Sequence, residues 1–489
     1  MTFLGIDLGT SEIKALLIDD YGSIITSTGA PLSVSRPQPL YSEQKPEDWW
    51  QATLIAVDAI KKSHPQQLSQ TRGIGLSGQM HGATLLDAND QPLRPAILWN
   101  DTRSFKECED LVAKEPNTLN ITGNLAMPGF TAPKLLWVAH NEPEIFAKVD
   151  SVLLPKDYLR LQLCGEKFSE MSDAAGTLWL DVAKRDWSDA MLAACGLSRK
   201  HMPKLVEGSE STGQLRTELV SRWKMQHPVI IAGGAGDNAA SAIGIGAIAP
   251  GSGFVSLGTS GVVFVVNDRF LPNPKRAVHA FCHALPQRWH QMSVMLSAAS
   301  CLRWVTLLLG AKNEAELLAE VEHLDIKARE QAPIFLPYLS GERTPHNDPS
   351  AQGVFWGLNH NTTRAELTYS VIEGVAFGLA DGVAALRDAG TSIKKLALVG
   401  GGSRSAYWSQ LIADLLGITL QTYTGSQTGA ALGAARLAQL ACGSNESVVC
   451  TTPPDDCTFV PNSSTDTFLT ERYGRFVKLY QSVAPLWIH

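Results

Sequence analysis

The chain has little of what would mark a secreted, membrane-bound or nucleic-acid-binding protein. Eight cysteines are spread through 489 residues, at 108, 164, 195, 282, 301, 442, 450 and 457, and none form a C-x-x-C pair. That usage fits reduced thiols in the cytoplasm better than a disulfide framework. There is no Lys/Arg-rich block, and a net charge of −7 gives no reason to expect nucleic acid as a partner. No basic segment leads into an apolar stretch at the N-terminus, so no signal peptide is expected. The longest apolar stretch, Met292 to Ala311, is broken by Arg303 and by small polar residues. It is expected to be a buried helix and not a membrane span. No tract is of low complexity. What is present is a soluble globular composition, 44% apolar and 18% charged. The length exceeds what one core fills and suits two domains of roughly 200–250 residues.

The most informative feature is a repeat. Leu8-Gly9-Thr10-Ser11 recurs as Leu257-Gly258-Thr259-Ser260, and each copy lies between two apolar, strand-like runs. One copy reads as ordinary hairpin chemistry. Two copies in matching contexts suggest a duplicated domain whose turns grip a polyphosphate from both sides. Glycine admits a phosphate close to the backbone, and Thr and Ser add hydroxyl donors beside exposed N–H groups. Asp7 precedes the first copy. A carboxylate at the end of a buried strand is costly unless paired, and hydrated Mg²⁺ on a nucleotide would satisfy it.

The remaining pattern alternates strands and helices. Three strands are expected up to Pro31, and Pro46 opens a helix through Ile60. Gly73–Ser77 reads as a strand ending at Gly78-Gln79-Met80-His81-Gly82, followed by a second run at 83–87. A helix is expected over 132–139, and a strand meets a helix across 151–158. Residues 228–236 read as one buried strand ending in glycines, with Asp237-Asn238 at once after it and a small-residue helix beyond. Strand 396–399 ends in Gly400-Gly401-Gly402-Ser403-Arg404, with helices to follow through Leu416 and over 429–440. Residues 443–465 are polar and read as a surface excursion. The domain boundary falls near Gly244–Gly253, giving domains 1–245 and 246–489. The architecture is mixed-sheet α/β, occurring twice.

Taken singly, the candidate residues stay ambiguous. Asp237 is as well explained by a helix N-cap as by a general base. A lone His81 is more often structural, Lys14 is equally a solvated strand residue, and three glycines after a strand signal a turn. Asn100, Asp101 and Arg103 fit an ion-paired loop. His279-x-x-Cys282-His283 has metal-like spacing, yet it also suits a strand, and no further cluster completes a zinc site.

Together these residues resemble the FGGY carbohydrate kinases of the actin-like, ribonuclease-H-like ATPase superfamily. The resemblance covers nearly the whole chain. Its specific pieces are Gly5-Ile6-Asp7-Leu8-Gly9-Thr10-Ser11, Ala235-Gly236-Asp237-Asn238-Ala239-Ala240, Gly353–Leu358 with Ile372-Glu373-Gly374, and Val399-Gly400-Gly401-Gly402-Ser403. Within the family, Ser77–Gly82, Leu98–Arg103 and Phe335–Pro345 are most similar to members acting on D-xylulose.

The resemblance implies two actin-like (ribonuclease-H-like) ATPase domains with a catalytic cleft between them. The N-terminal domain would bind sugar and the C-terminal one nucleotide. It implies ATP-dependent phosphorylation of D-xylulose with Asp237 as base and Asp7 organising Mg²⁺ through water. Thr10, Ser11, Lys14, Gly258 and Thr259 would contact phosphates, and Gly400, Gly401 and Gly402 the adenosine. Met80, His81 and Asn238 would hold the ketopentose, and a homodimer is implied by resemblance alone. Two positions depart from the family pattern: Ser426-Gln427-Thr428-Gly429 where a Glu is common, and Arg303 near the expected adenine pocket. D-Ribulose, xylitol or another polyol remains open as substrate. So does a non-metabolic actin-like ATPase, although that class needs no pocket of Met80, His81 and Asn238. A sugar-sensing repressor would need a DNA-binding module, and the kinase-like strand already begins at residue 3.

Overall fold

The computed structural model describes residues 1–425, 429–462 and 466–487. The first half is built on a seven-stranded sheet. Its strands are β1 (Thr2–Leu8), β2 (Glu12–Asp19), β3 (Ile24–Pro31), β4 (Thr71–Gly78), β5 (Ser211–Gln214), β6 (Ile230–Ala232) and β7 (Ala235–Gly236). They run in the order β5-β6-β4-β1-β2-β3, with β7 pairing β4. The second half carries another seven-stranded sheet: β8 (Ser252–Leu257), β9 (Gly261–Asn267), β10 (His279–Cys282), β11 (Trp289–Met295), β12 (Lys395–Val399), β13 (Thr419–Tyr423) and β14 (Asp455–Phe459). Its order is β10-β11-β9-β8-β12-β13-β14.

The two sheets share one arrangement of strand directions, although the edge strand precedes its neighbour along the chain in the first (β5 before β6) and follows it in the second (β14 after β13). In each, a β-hairpin pairs antiparallel with a third strand on one side. On the other side two parallel strands follow, and an antiparallel edge strand closes the row. The duplication seen in the turns therefore extends over five strands in matching chain order. The turns themselves are not identical. Leu8 pairs with Ile13 across the first, whereas Leu257 pairs with Gly261 across the second, so the same four letters close loops differing by one residue.

Helices cover the sheets: α1 (Pro46–Ser63), α2 (Thr131–Asn141), α3 (Pro155–Cys164), α4 (Asp237–Gly244), α5 (Ala299–Leu308), α6 (Arg364–Asp388), α7 (Ala406–Leu416), α8 (Gly429–Ala441) and α9 (Asp466–Val483). α6 is long and apolar enough to cross a membrane, but it is buried within the protein. Glu373 on this helix, from one of the family-like motifs, is buried against Arg472 at 2.5 Å and Tyr369 at 3.0 Å. That motif supports the core.

α8 ties the halves together. A side chain on Gly5 would meet the Ala431 carbonyl at 1.9 Å, and one on Gly75 the Ala434 carbonyl at 1.8 Å. Only glycine lets this helix of the second half lie so close on the first sheet. α4 and α8 also touch backbone to backbone, with Gly433 against Ala240 and Gly244 against Gly429.

Three local expectations need correction. Residues 228–236 are not one strand: Gly234, at φ +78°, breaks the run between β6 and β7. Met292–Ala311 is the end of β11 followed by α5, and Leu307 and Leu308 are exposed. The 443–465 excursion contributes the edge strand β14, with residues 463–465 outside the described residues.

Candidate active site

The first sheet brings two carboxylates to the C-terminal end of its central parallel strands. Asp7 on β1 pairs with Lys14 on β2 and Ser77 on β4, and Ser77 pairs with Ala235 on β7. One row further along, Leu8, Gly78 and Gly236 align, and Asp237 follows Gly236 as the first residue of α4. Gly236 occupies the N-cap position, so the N-cap reading of Asp237 is displaced by one residue.

Burial raises the Asp237 carboxyl to about 6, and the negative charge of Asp7 adds to that. Asp237 Oδ1 accepts from the Asn238 backbone N–H at 2.7 Å and its side-chain amide at 3.0 Å, which leaves Oδ2 for a proton. Burial also raises Asp7, which the Ser77 hydroxyl and Lys14 only partly offset. Asp7 Oδ1 is buried without a well-formed hydrogen bond among the described residues. An orphaned buried carboxylate oxygen beside a cavity is the donor a hydrated hard cation requires.

A cavity of about 440 Å³ opens between the halves. The first half supplies Asp7, Lys14, Ser241 and Ile245, and the second supplies Phe254, Val399, Gly400, Gly401, Ser403, Arg404 and Gly429–Ala431. The N-terminus of α8 thus lies at the wall, where the helix dipole favours an anion. Gly400 has φ +94°, and a side chain there would strike the Leu257 backbone. Of the other sequence candidates, Gly402 instead packs on Leu257 and Trp408. Thr10, Ser11, Gly258 and Thr259 do not line this cavity and sit at the hairpin turns. The Thr10 hydroxyl is engaged by Gln79 and the Trp99 indole. The Gly258 and Thr259 carbonyls hold the start of α5. Arg303 is largely exposed beside Glu314 at 3.8 Å and is not among the cavity residues. Ser426–Thr428 lie outside the described residues.

Met80 and His81 follow β4, and Met80 lies against Gly236, the residue before Asp237. A side chain on Gly236 would meet Met80 at 2.9 Å, and one on Gly176 would meet both Met80 and His81 at under 3 Å. His81 is held at φ +69°. Its carbonyl accepts from Thr131 at 3.1 Å and Lys134 at 3.0 Å. Its Nδ1–H donates to the Gly176 carbonyl at 2.6 Å. Burial and the Lys134 charge push its pKa down to about 3, so the ring is neutral. With Nδ1 donating, Nε2 is the acceptor. Lys134 itself is fully buried and lowered to about 7 by burial. Lys134, Gly176 and Ser241 were not legible as site residues, although Ser241 stands one helical turn after Asp237.

Asn100, Asp101 and Arg103 form the ion-paired loop. Arg103 bonds Asp101 at 2.7 Å and Glu43 at 2.7 Å, and its guanidinium stacks 3.5 Å over Tyr41. His279 and Cys282 are buried strand residues of β10; His279 lies against Phe130 and Phe281, and the Cys282 thiol faces the Val182 carbonyl.

Residues 2–244 match the N-terminal domain of the FGGY family of carbohydrate kinases and residues 253–442 its C-terminal domain. The chain belongs to this family, is a carbohydrate kinase with its two-domain mixed α/β fold, and uses ATP as substrate. It is 53% identical to the xylulose kinase of Escherichia coli (strain K12), over 99% of each chain. It is 55% identical to the xylulose kinase of Klebsiella pneumoniae, over 90% of each. A crystal structure of a xyloylose kinase from Brucella ovis superposes with a TM-score of 0.96 at 52% identity, covering 99% of this chain and 100% of that one.

Proposed function

We propose that the protein transfers the γ-phosphoryl group of ATP to the 5-hydroxyl of D-xylulose, giving D-xylulose 5-phosphate and ADP. The observation that carries this is the register that sets Asp237, with Oδ2 outside its bonds to Asn238, just beyond the row of Asp7, which lines the cavity between the halves with Lys14, Gly400 and Gly401. The relatives at 53% and 55% identity supply the sugar. In this reading residues 1–245 bind the sugar and 246–489 the nucleotide, and the enzyme works in the cytoplasm.

His81 Nε2 accepts from one sugar hydroxyl, Asn238 holds another, and Met80 walls the pocket. The reacting hydroxyl gives its proton to Asp237 Oδ2 as its oxygen bonds to phosphorus and the bond to ADP breaks. In-line phosphoryl transfer asks the protein mainly for position and electrostatics. Lys14, Gly400, Gly401 and the α8 N-terminus face the nucleotide, and Thr10, Ser11, Gly258 and Thr259 approach the phosphates once the cleft closes. Mg²⁺ held through water at Asp7 would neutralise charge on the phosphates.

The test is ADP release with D-xylulose, D-ribulose, xylitol and glycerol, with the phosphorylated product identified. D-Xylulose should give the highest kcat/KM and a 5-phosphate. Preference for D-ribulose or a polyol overturns the substrate, and no sugar-dependent release overturns the activity.

A further inference from the structure

Asp237 has few ties of its own: among the described residues its side chain bonds only the adjacent Asn238. The stretch before it, Gly233–Gly236, leaves the sheet at a left-handed glycine and has no side chain larger than a methyl to anchor it. Behind this stretch lies a set of ionisable side chains that phosphoryl transfer does not use. Lys156, Asp157 and Arg160 on α3, with Glu170 and Asp173, are all fully buried. Lys156 Nζ lies 2.8 Å from Asp157, 2.9 Å from Asp173 and 3.5 Å from Glu170.

The cluster holds the glycine stretch at both ends. Arg160 donates to Asp157 at 2.6 Å, to the Phe168 carbonyl at 2.7 Å, and to the carbonyl of Gly233. Glu170 accepts the Ser172 hydroxyl at 2.9 Å and the Ser172 and Asp173 backbone N–H groups at 2.7 and 2.8 Å. The Ser172 oxygen accepts the backbone N–H of Gly236 at 3.1 Å. The chain Lys156–Glu170–Ser172–Gly236 thus ends one peptide before Asp237.

Five buried ionisable groups are a poor way to gain stability, because desolvation consumes most of the Coulomb energy. Fixing a backbone that cannot fix itself is a use that cost explains. We propose that this buried cluster, acting through Ser172 and Arg160, is the positioning device for the Asp237 carboxylate; it rests on the reading of Asp237 as the base.

Ser172→Ala tests it, because it removes the link to Gly236 and little volume. Turnover of D-xylulose should fall at least about tenfold, since displacements on the order of 1 Å cost that much or more. KM for ATP should stay within about twofold, and Ser172→Thr, which keeps the hydroxyl, should recover most of the loss. Added to Asp237→Asn, Ser172→Ala should lower the residual turnover by less than about twofold, because Ser172 acts through the missing carboxylate. Normal turnover in Ser172→Ala beside an impaired Asp237→Asn overturns the positioning role alone, as does a fully additive double variant or a Thr variant no better than Ala. Normal turnover in Asp237→Asn instead overturns the base. If Ser172→Ala does not fold, Ser172→Cys, which keeps the volume but accepts poorly, is judged by the same criteria.

Discussion

Replacing Asp237 by Asn should damage catalysis and strengthen the fold at the same time. Asn keeps the size and an oxygen for the two bonds from Asn238, but it cannot take the proton. Loss of a general base costs at least about two orders of magnitude in turnover. The stability effect has the opposite sign. Folding raises this carboxyl from 3.8 to about 6. A raised carboxylate favours the folded state most at low pH, below its unfolded pKa, and that contribution is lost as pH rises through about 6. At pH 7.5 the ionised group is therefore a burden, of roughly 3 kcal/mol at most. Partial exposure of Asp237 lowers this ceiling, and a negative charge at the start of α4 returns about 0.3–1 kcal/mol. A net gain of about 1–2 kcal/mol remains for Asn, which raises Tm by a few degrees. The assay is initial rate at saturating substrates plus calorimetry at pH 7.5 and pH 4. Near-normal turnover refutes the base; a Tm gain equal at both pH values refutes the origin of the pKa shift.

Three further outcomes are expected. With both substrates well below saturation, kcat/KM should decline as pH falls through about 6, where the Asp237 carboxyl of the free enzyme protonates; a flat profile from pH 7 to 5 contradicts it. His279, His283 and His290 are all pushed below their ordinary range by burial, so stability is lost as pH falls below about 6.5, by up to ~1.4 kcal/mol per pH unit for each ring. His290, stacked 4.3 Å from Phe264, should when replaced by Phe shed one proton's worth of that slope in urea titrations at pH 7.5 and 5.5, and an unchanged slope counts against it. His81→Ala should lower kcat/KM for D-xylulose far more than sugar-independent ATP hydrolysis and narrow the gap to D-ribulose, since an unpaired hydroxyl no longer meets a buried acceptor; a mutant with the wild-type preference makes His81 structural.

The legible parts were those with a local signal. Apolar runs bounded by turn residues gave β1–β4, α1 and α8 to within a few residues, and the repeated turn implied the second sheet. Asp237 was visible because glycines precede it and small residues follow. The misread parts depend on distance in the sequence. Nothing in 228–236 shows that Gly234 will be forced left-handed by the packing of Gly233 on Glu207 and of Gly234 on Leu76. Nothing near Met292–Ala311 marks where strand gives way to helix, because the stretch is mostly apolar and its few polar residues set neither period clearly. Ser172 and Gly176 reach the site from roughly 60 to 95 residues away along the chain. The three glycines at 400–402 looked equivalent, but only packing shows that Gly400 and Gly401 face the cavity while Gly402 faces Leu257 and Trp408.

The duplicated sheets invite the view that the chain is two self-sufficient halves, and α8 argues against it. This helix belongs to the second half by sequence but lies on β1 and β4 of the first. Gly5, Gly73 and Gly75 form a trough with no side chains of its own, and Ala431, Ala434 and Ala438 fill it. Phe3, Leu16 and Ile18 are buried with Ala431, Leu432, Ala435 and Ala438 in one cluster. A fragment of residues 1–245 would expose that face, and exposed apolar side chains cost roughly 1.5–3 kcal/mol each. Three such residues amount to about 5–9 kcal/mol, comparable to the whole stability of a domain. The fragment should therefore be aggregated or molten by size exclusion and near-ultraviolet circular dichroism. Joining residues 429–442 to it through a flexible linker should restore a cooperative transition. A monomeric 1–245 fragment that unfolds cooperatively on its own would show that α8 is an accessory.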